Sequence, residues 1–441
     1  MSLHAVAITL GRLAPDPVAL VTYLALFATT AVLAYRRPAY AAAVLIATMP
    51  FALYRDVVAT TLTLAKVALV AAVAGLAWRA AAGRLDITGV RAVLPIPIAL
   101  GLLVAATALS IVRADHPDAA VRETFKAAQY LVTAAAAFAA WRSDPDERPI
   151  RYALFGTLGV TALAALAQEF VGAPSVLQAG SALLPRIAGP LEGPNQLAGF
   201  LGLALPLATA FALSRKPSPA EFLAIGLGVV ALALTFSRAG AAAAFVAMTI
   251  AIAGSPLASR KRLLRAAGLT LGLTLLATAA VAHWDAWSAL TGHMFSAAES
   301  AQPGGVGRRS DLWRAALLLW QAHPWFGIGA GNFEYAVGTI VPGVRTHANN
   351  AYLQAFAEGG VVLGAATAAA LLMPLVLFAR AARSSSLVLG AFASCVAFAL
   401  HQFLDDLLFF PKVGGLYWLI VGLAAGEIAR LRATRPPAGP P

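Results

Sequence analysis

Along almost the whole chain, apolar runs of about 17–25 residues are separated by short polar connectors. Such a run, wound as a helix rising about 1.5 Å per residue, spans a hydrocarbon core of about 30 Å, so the pattern predicts an all-α, polytopic transmembrane bundle. The runs lie at 18–35, 38–54, 57–78, 93–112, 125–141, 150–171, 195–213, 220–236, 239–254, 264–282, 351–379, 386–404 and 413–429. The period-2 alternation that a membrane barrel needs is missing. Thirteen runs place the N-terminus outside, and the uneven part is the first three, where two short runs fit one broken or re-entrant element. The expectation is therefore 12–13 spans.

The connectors divide by charge. Arg36-Arg37, Arg79/Arg84/Arg91, Arg142/Arg148/Arg151, Arg215-Lys216, Arg260-Lys261-Arg262/Arg265, Arg380/Arg383 and Arg430/Arg432/Arg435 alternate with connectors poorer in Lys and Arg. The positive-inside rule assigns the first set to the cytoplasm. The first run, followed by Arg36-Arg37 and further spans, reads as a retained helix and not a cleaved signal peptide. Residues 1–282 then hold the N-terminal spans, 283–350 a long outward loop, and 351–441 the last spans with a short cytoplasmic tail.

That loop of nearly 70 residues is the one long connector, and long loops in compact proteins are functional or disordered. Ser310-Asp311 offers an N-cap for a helix running to Ala322, with Leu312, Trp313, Ala316, Leu317, Leu319 and Trp320 on an apolar face suited to the membrane interface. His323-Pro324 stops it. After the glycine-rich turn Gly327–Gly331, a second helix starts at Asn349 or Asn350 and runs into the next span. A lid of helices on the outer leaflet is the predicted result.

Composition agrees with the pattern, with 60% of residues hydrophobic and 12% charged. The formal charge of +12 sits in clusters between apolar runs, which is membrane topology and not a nucleic-acid surface. The single cysteine, Cys395, excludes a disulfide or a thiolate metal site within one protomer.

Arginine is unexpectedly frequent on the outward side: Arg186, Arg238, Arg308-Arg309 and Arg345. Arg238 stands at the apex of a hairpin with almost no loop, where it either serves function or pairs with a carboxylate such as Glu169. Guanidinium matches phosphate oxygens bidentately, and at a membrane surface the expected anion is a lipid phosphate or diphosphate. His347 is the candidate base, because imidazole titrates nearest neutrality. His401 with Asp405-Asp406 forms a second outward cluster facing the same cavity, with Asp406 free to pair with Lys412. Three patterns are weaker. Asp144-Pro145-Asp146 is better explained by helix capping, Gly327–Gly331 resembles a phosphate loop only loosely, and Lys66, in mid-span, marks either an ion path or a bundle pair. No zinc spacing or other metal site stands out, and no cofactor is implied.

Four stretches, in order, resemble the bacterial O-antigen ligase and polymerase superfamily: Arg186–Asn195, Leu234–Gly240, Gly307–Trp313 continuing to His323–Gly329, and Thr346–Gln354 followed by Glu358-Gly359-Gly360. The resemblance implies an undecaprenyl-diphosphate-linked glycan donor, a periplasmic site on a bacterial inner membrane, and catalytic Arg238, Arg309 and His347. Arg308 is the alternative to Arg309, and Arg186, Asn195, Arg308, Arg345, Asn349 and Asn350 are the candidates for substrate binding. The family usually places Asn directly after His, whereas Ala348 follows His347 here. If Asn350 is the family's asparagine, Asn349 holds the usual histidine position. The expected activity is an inverting, metal-independent O-antigen ligase joining glycan to lipid A-core. Its rivals are an O-antigen or exopolysaccharide polymerase and, from another class, a secondary transporter, which would show internal pseudo-repeats.

Overall fold

The computed structural model describes residues 17–51, 54–57, 60–179, 182–215, 217–255 and 306–433. The run at 264–282 and loop positions 283–305 lie outside the described residues. The rest is helical. In chain order the helices are α1 (Pro17–Arg36), α2 (Pro38–Thr48), α3 (Leu64–Ala81), α4 (Pro95–Ser110), α5 (Pro117–Ser143), α6 (Glu147–Val171), α7 (Pro194–Ser214), α8 (Pro219–Leu234), α9 (Arg238–Gly254), α10 (Val306–Ala322), α11 (Phe333–Ile340), α12 (Ala351–Ala381), α13 (Ser386–His401) and α14 (Pro411–Ala433). Two small antiparallel hairpins join them, β1 (Tyr54–Val57) with β2 (Thr60–Thr63) and β3 (Ser175–Ala179) with β4 (Ala182–Arg186). Seven of these helices are long and apolar enough to cross a membrane, and α2, α8, α9 and α13 are shorter apolar helices. The protein is a multi-pass membrane protein.

Both ends of the bundle are built by charge. At one end, Arg37 pairs with Asp144 at 3.3 Å and Asp146 at 3.1 Å, and Arg142 with Asp86 at 2.6 Å. Asp146 also caps α6 through the Arg148 amide, as capping at this dipeptide predicts. Buried Arg151 grips Glu221, whose carboxylate completes a capping box with Ser218 at the start of α8. Arg430 and the Trp141 indole share Glu427. These pairs tie together the connectors α1–α2, α3–α4, α5–α6 and α7–α8 and the end of α14, all of them basic in sequence. The core is centred on α7 and α14, which are enclosed over nearly their whole length.

Two boundaries differ from expectation. The runs 38–54 and 57–78 are not two spans of full length: α2 has 11 residues, about 16 Å of helix against a core of about 30 Å, and β1 and β2 occupy the middle. Thr60, Thr61 and Thr63 favour the extended chain over helix. Lys66 therefore sits in the first turn of α3 beside this hairpin, with its amide bonded to the capping Thr63, and not in mid-span.

The segment 306–350 is largely helical, but its helices differ from the prediction. The helix begins at Val306, so Ser310 and Asp311 lie inside it, and α11 is an additional short helix. Leu312, Ala315 and Ala316 of α10 pack with Phe333 and Val337 of α11 and with Val344, Ala348 and Ala357 in a small core of their own.

The glycine-rich turn is a socket for a broken helix and not a phosphate loop. Gly359 and Gly360 leave helical geometry inside α12, Gly360 with φ +61. The two carbonyls freed by the break, Ala357 and Glu358, accept from the amides of Ile328 at 3.2 Å and Gly329 at 2.7 Å. The freed amides of Val361 and Val362 donate to the carbonyls of Pro324 at 2.8 Å and Trp325 at 3.4 Å. In a membrane, backbone groups released by a helix break need such partners. A methyl at Gly360 would meet the Trp325 backbone as well as demand a left-handed conformation worth about 1–2 kcal/mol. Gly360→Ala should lower the thermal midpoint measurably in detergent, while Gly101→Ala, which opens onto empty space, should not. Equal midpoints would refute the socket.

Candidate active site

The site lies at the end of the bundle opposite the arginine–carboxylate pairs, beneath α10. Arg238 opens α9 immediately after a reversal made by Phe236, whose φ of +48 is unusual for an aromatic residue. Ser237 caps the helix by accepting from the Gly240 amide at 3.4 Å, and its own amide donates to Thr235 Oγ1 at 3.1 Å. This no-loop hairpin is the turn the sequence predicts.

Arg186 is docked onto that turn. Its Nε donates to the Thr235 carbonyl at 2.8 Å and its Nη2 to Asn195 Oδ1 at 3.1 Å. Asn195 thus orients the guanidinium from the first turn of α7. Gln168 holds the following backbone, its Oε1 accepting from the Ala188 and Gly189 amides.

Arg309 comes from the first turn of α10. Its Nε is buried and makes no hydrogen bond among the described residues, like the Trp313 indole one turn on. Burial, together with the Arg238 charge, lowers the Arg309 pKa against the opposing pull of Asp405. Arg186 is lowered by burial and by the charge of Arg309, again against Asp405. Such mutual influence requires proximity in a medium of low dielectric. Arg309 therefore lies within electrostatic reach of Arg186, Arg238 and Asp405, and Arg186 within reach of Asp405.

His347 completes the group. Its Nε2 lies 3.2 Å from Asp405 Oδ1 and, because a carboxylate only accepts, Nε2–H donates and Nδ1 keeps its lone pair. The ring is stacked on Phe409 at 5.4 Å and met edge-on by Phe410 at 5.7 Å, and its side chain is 18% exposed. Burial works against the imidazolium, but the hydrogen bond and charge of Asp405, with the charge of Asp406, outweigh it and raise the pKa above the ordinary value of 6.5. Asp405 is itself buried and held below the usual carboxylate range: burial is overcome by His347, His401 and Arg309. Its Oδ2 makes no hydrogen bond among the described residues.

Several expected assignments change. Asn350 caps α12, its Oδ1 accepting from the Tyr352 and Leu353 amides and its Nδ2 donating to the Phe403 carbonyl, so its amide is engaged within the protein. Asn349 adopts φ +51, and Ala348 between it and His347 is fully buried in the small core of α10 and α11. Arg345 is exposed and lies over the Tyr335 ring at 4.5 Å, outside the cluster. The Arg308 side chain is outside the described residues. Lys412 pairs with Glu192 at 3.3 Å and the Pro190 carbonyl, not with Asp406. The proposed Arg238 partner Glu169 has a buried Oε1 without a hydrogen bond. The roles of Asp405 as the histidine's partner and of Phe409 as its platform were not read from the sequence. The only sequence signal was the outward position of the aspartates.

No curated protein sequence gives a significant match to the chain. Residues 223–368, from α8 past the break in α12, match the family model described as O-antigen ligase, a stretch that contains Arg238, Arg309 and His347. Over that segment the chain is similar to the O-antigen ligase family, which supports a place in the O-antigen ligase and polymerase superfamily of membrane glycosyltransferase-like enzymes.

Proposed function

We propose that the protein is an O-antigen ligase, transferring a glycan from undecaprenyl diphosphate to a sugar hydroxyl of lipid A-core at the periplasmic face of a bacterial inner membrane. The observation that carries this reading is the gathering of Arg186, Arg238 and Arg309 around the His347–Asp405 pair under an apolar lid. The positive-inside rule supports the periplasmic side, since the arginine–carboxylate end is the more basic one.

The chemistry follows from the positions. His347 Nδ1 takes the proton from the acceptor hydroxyl as its oxygen attacks the anomeric carbon from the side opposite the diphosphate. The bond from that carbon to the diphosphate oxygen breaks, the electron pair stays with the diphosphate, and the configuration inverts. The guanidiniums stabilise the charge that collects on the leaving group, without a metal in the step. Asp405 holds the ring in the right tautomer and stabilises the imidazolium that forms. The lid admits both lipids from the side.

The test is transfer in liposomes containing both lipid A-core and an undecaprenyl-diphosphate-linked glycan. Lengthened lipid A-core is the expected product. Elongation of the glycan on its own carrier would make the protein a polymerase, and movement of a solute without either product would make it a transporter.

The protonation state gives a sharper check. A base must be neutral to accept a proton, so activity should fall as pH drops through a His347 pKa raised above 6.5. Asp405→Asn removes the largest opposing influence to burial, so the acid limb should move to lower pH, with a maximal rate lower by about 100-fold. An unmoved limb would detach Asp405 from the base.

A further inference from the structure

Behind the His347 loop lies a cavity of ≈ 80 Å³, lined by Glu123, Lys126 and Tyr130 of α5, Glu358 of α12, and Asp406 and Phe409. Lys126 is the notable member. Its Nζ lies 2.6 Å from Glu123 Oε2, donates to the Phe409 carbonyl at 3.1 Å, and stands 4.8 Å from the Phe409 ring centroid. That same ring carries the stacked imidazole of His347. One turn further along α5, the Tyr130 hydroxyl donates to the Leu408 carbonyl at 2.8 Å.

A single cation therefore touches both the backbone and the π-face of the residue on which the candidate base rests. A lysine at the outer end of a membrane helix normally extends to the headgroups. This one turns inward, with a side chain 14% exposed, and its contacts lead to the loop 405–410. Cation–π attraction and the carbonyl bond both fix the ring plane, and the ring plane fixes the tilt at which His347 Nδ1 meets an acceptor hydroxyl. General-base transfer requires that geometry within a few tenths of an ångström.

We propose that Lys126 is a positioning residue for glycan transfer, acting through the Phe409 ring to hold the His347 imidazole in its reactive orientation. The inference rests on the reading of His347 as the base. It differs from a plain structural staple in what it predicts: the donor still binds, and the chemical step slows.

The experiment uses full-length protein in liposomes with both lipid substrates, and compares Lys126→Met, Lys126→Arg, Phe409→Leu, Tyr130→Phe and His347→Ala. Lys126→Met should lower kcat by about 10- to 100-fold with the donor KM within about twofold, and Lys126→Arg, which keeps the cation over the ring, should recover most of the rate. Phe409→Leu keeps the carbonyl contact and removes the platform, so it should show the same kcat loss and serves if Lys126→Met does not fold. Tyr130→Phe, which removes the neighbouring staple without touching the ring, should change the thermal midpoint more than kcat. Full kcat in Lys126→Met or Phe409→Leu, or a loss shared equally by Tyr130→Phe and matched by its midpoint, would overturn the proposal. If His347→Ala kept its rate, the base assignment and this inference would fall together. An inactive His347→Ala beside a fully active Lys126→Met would remove only the inference.

Discussion

His347→Ala should slow glycan transfer by about 10³-fold while leaving binding of the diphosphate-linked donor within a few-fold of normal. The separation follows from where the ring sits. Its hydrogen bond goes to Asp405 and its faces go to Phe409 and Phe410, so the contacts of His347 within the protein orient it and leave Nδ1 for the substrate. Removing it takes away the proton acceptor but none of the three guanidiniums. At about 1.4 kcal/mol per tenfold, the loss corresponds to about 4 kcal/mol of transition-state stabilisation. Single-turnover transfer and donor-binding measurements on the same proteoliposomes give the two numbers. A rate unchanged by the substitution would remove the base from this mechanism.

Arg309→Gln should have the second largest effect, about 10²- to 10³-fold in transfer with a clear weakening of donor binding. Arg309 is half-buried, its buried Nε makes no hydrogen bond among the described residues, and it feels both Arg238 and Asp405. A half-buried guanidinium with an open donor is suited to the proposed diphosphate. Arg309→Lys should rescue only partly, because an ammonium lacks the planar, bidentate geometry of guanidinium. The double substitution with Arg238→Gln should lose less than the product of the two single losses, since both side chains would act on one leaving group. Strict additivity would place the two arginines at separate sites.

The helical bundle was legible because its cause is local. Eighteen or more apolar residues in a row have one stable solution in a bilayer, and connector charge orders the ends. The same reasoning failed at 54–63. There the apolar run continues, but β-branched residues make a hairpin, and hydropathy does not distinguish a strand from a helix over so few residues. It also misread Gly327–Gly331, whose role depends on a helix break some 30 residues away.

The arginines and His347 could be named from sequence because each lies in a connector that the charge pattern expects to be poor in positive charge. Asp405, Phe409 and Lys126 could not be connected to them, since their importance is a matter of distances across 58 and more residues of chain. Order along the chain thus determined that this is a multi-pass helical membrane protein with alternately basic connectors. Only the tertiary structure decided that Arg186, Arg238 and Arg309 converge, that Asn350 is a cap, and that Asp405 belongs to His347. Hydropathy is a sum over neighbours in sequence, whereas a site is made of neighbours in space.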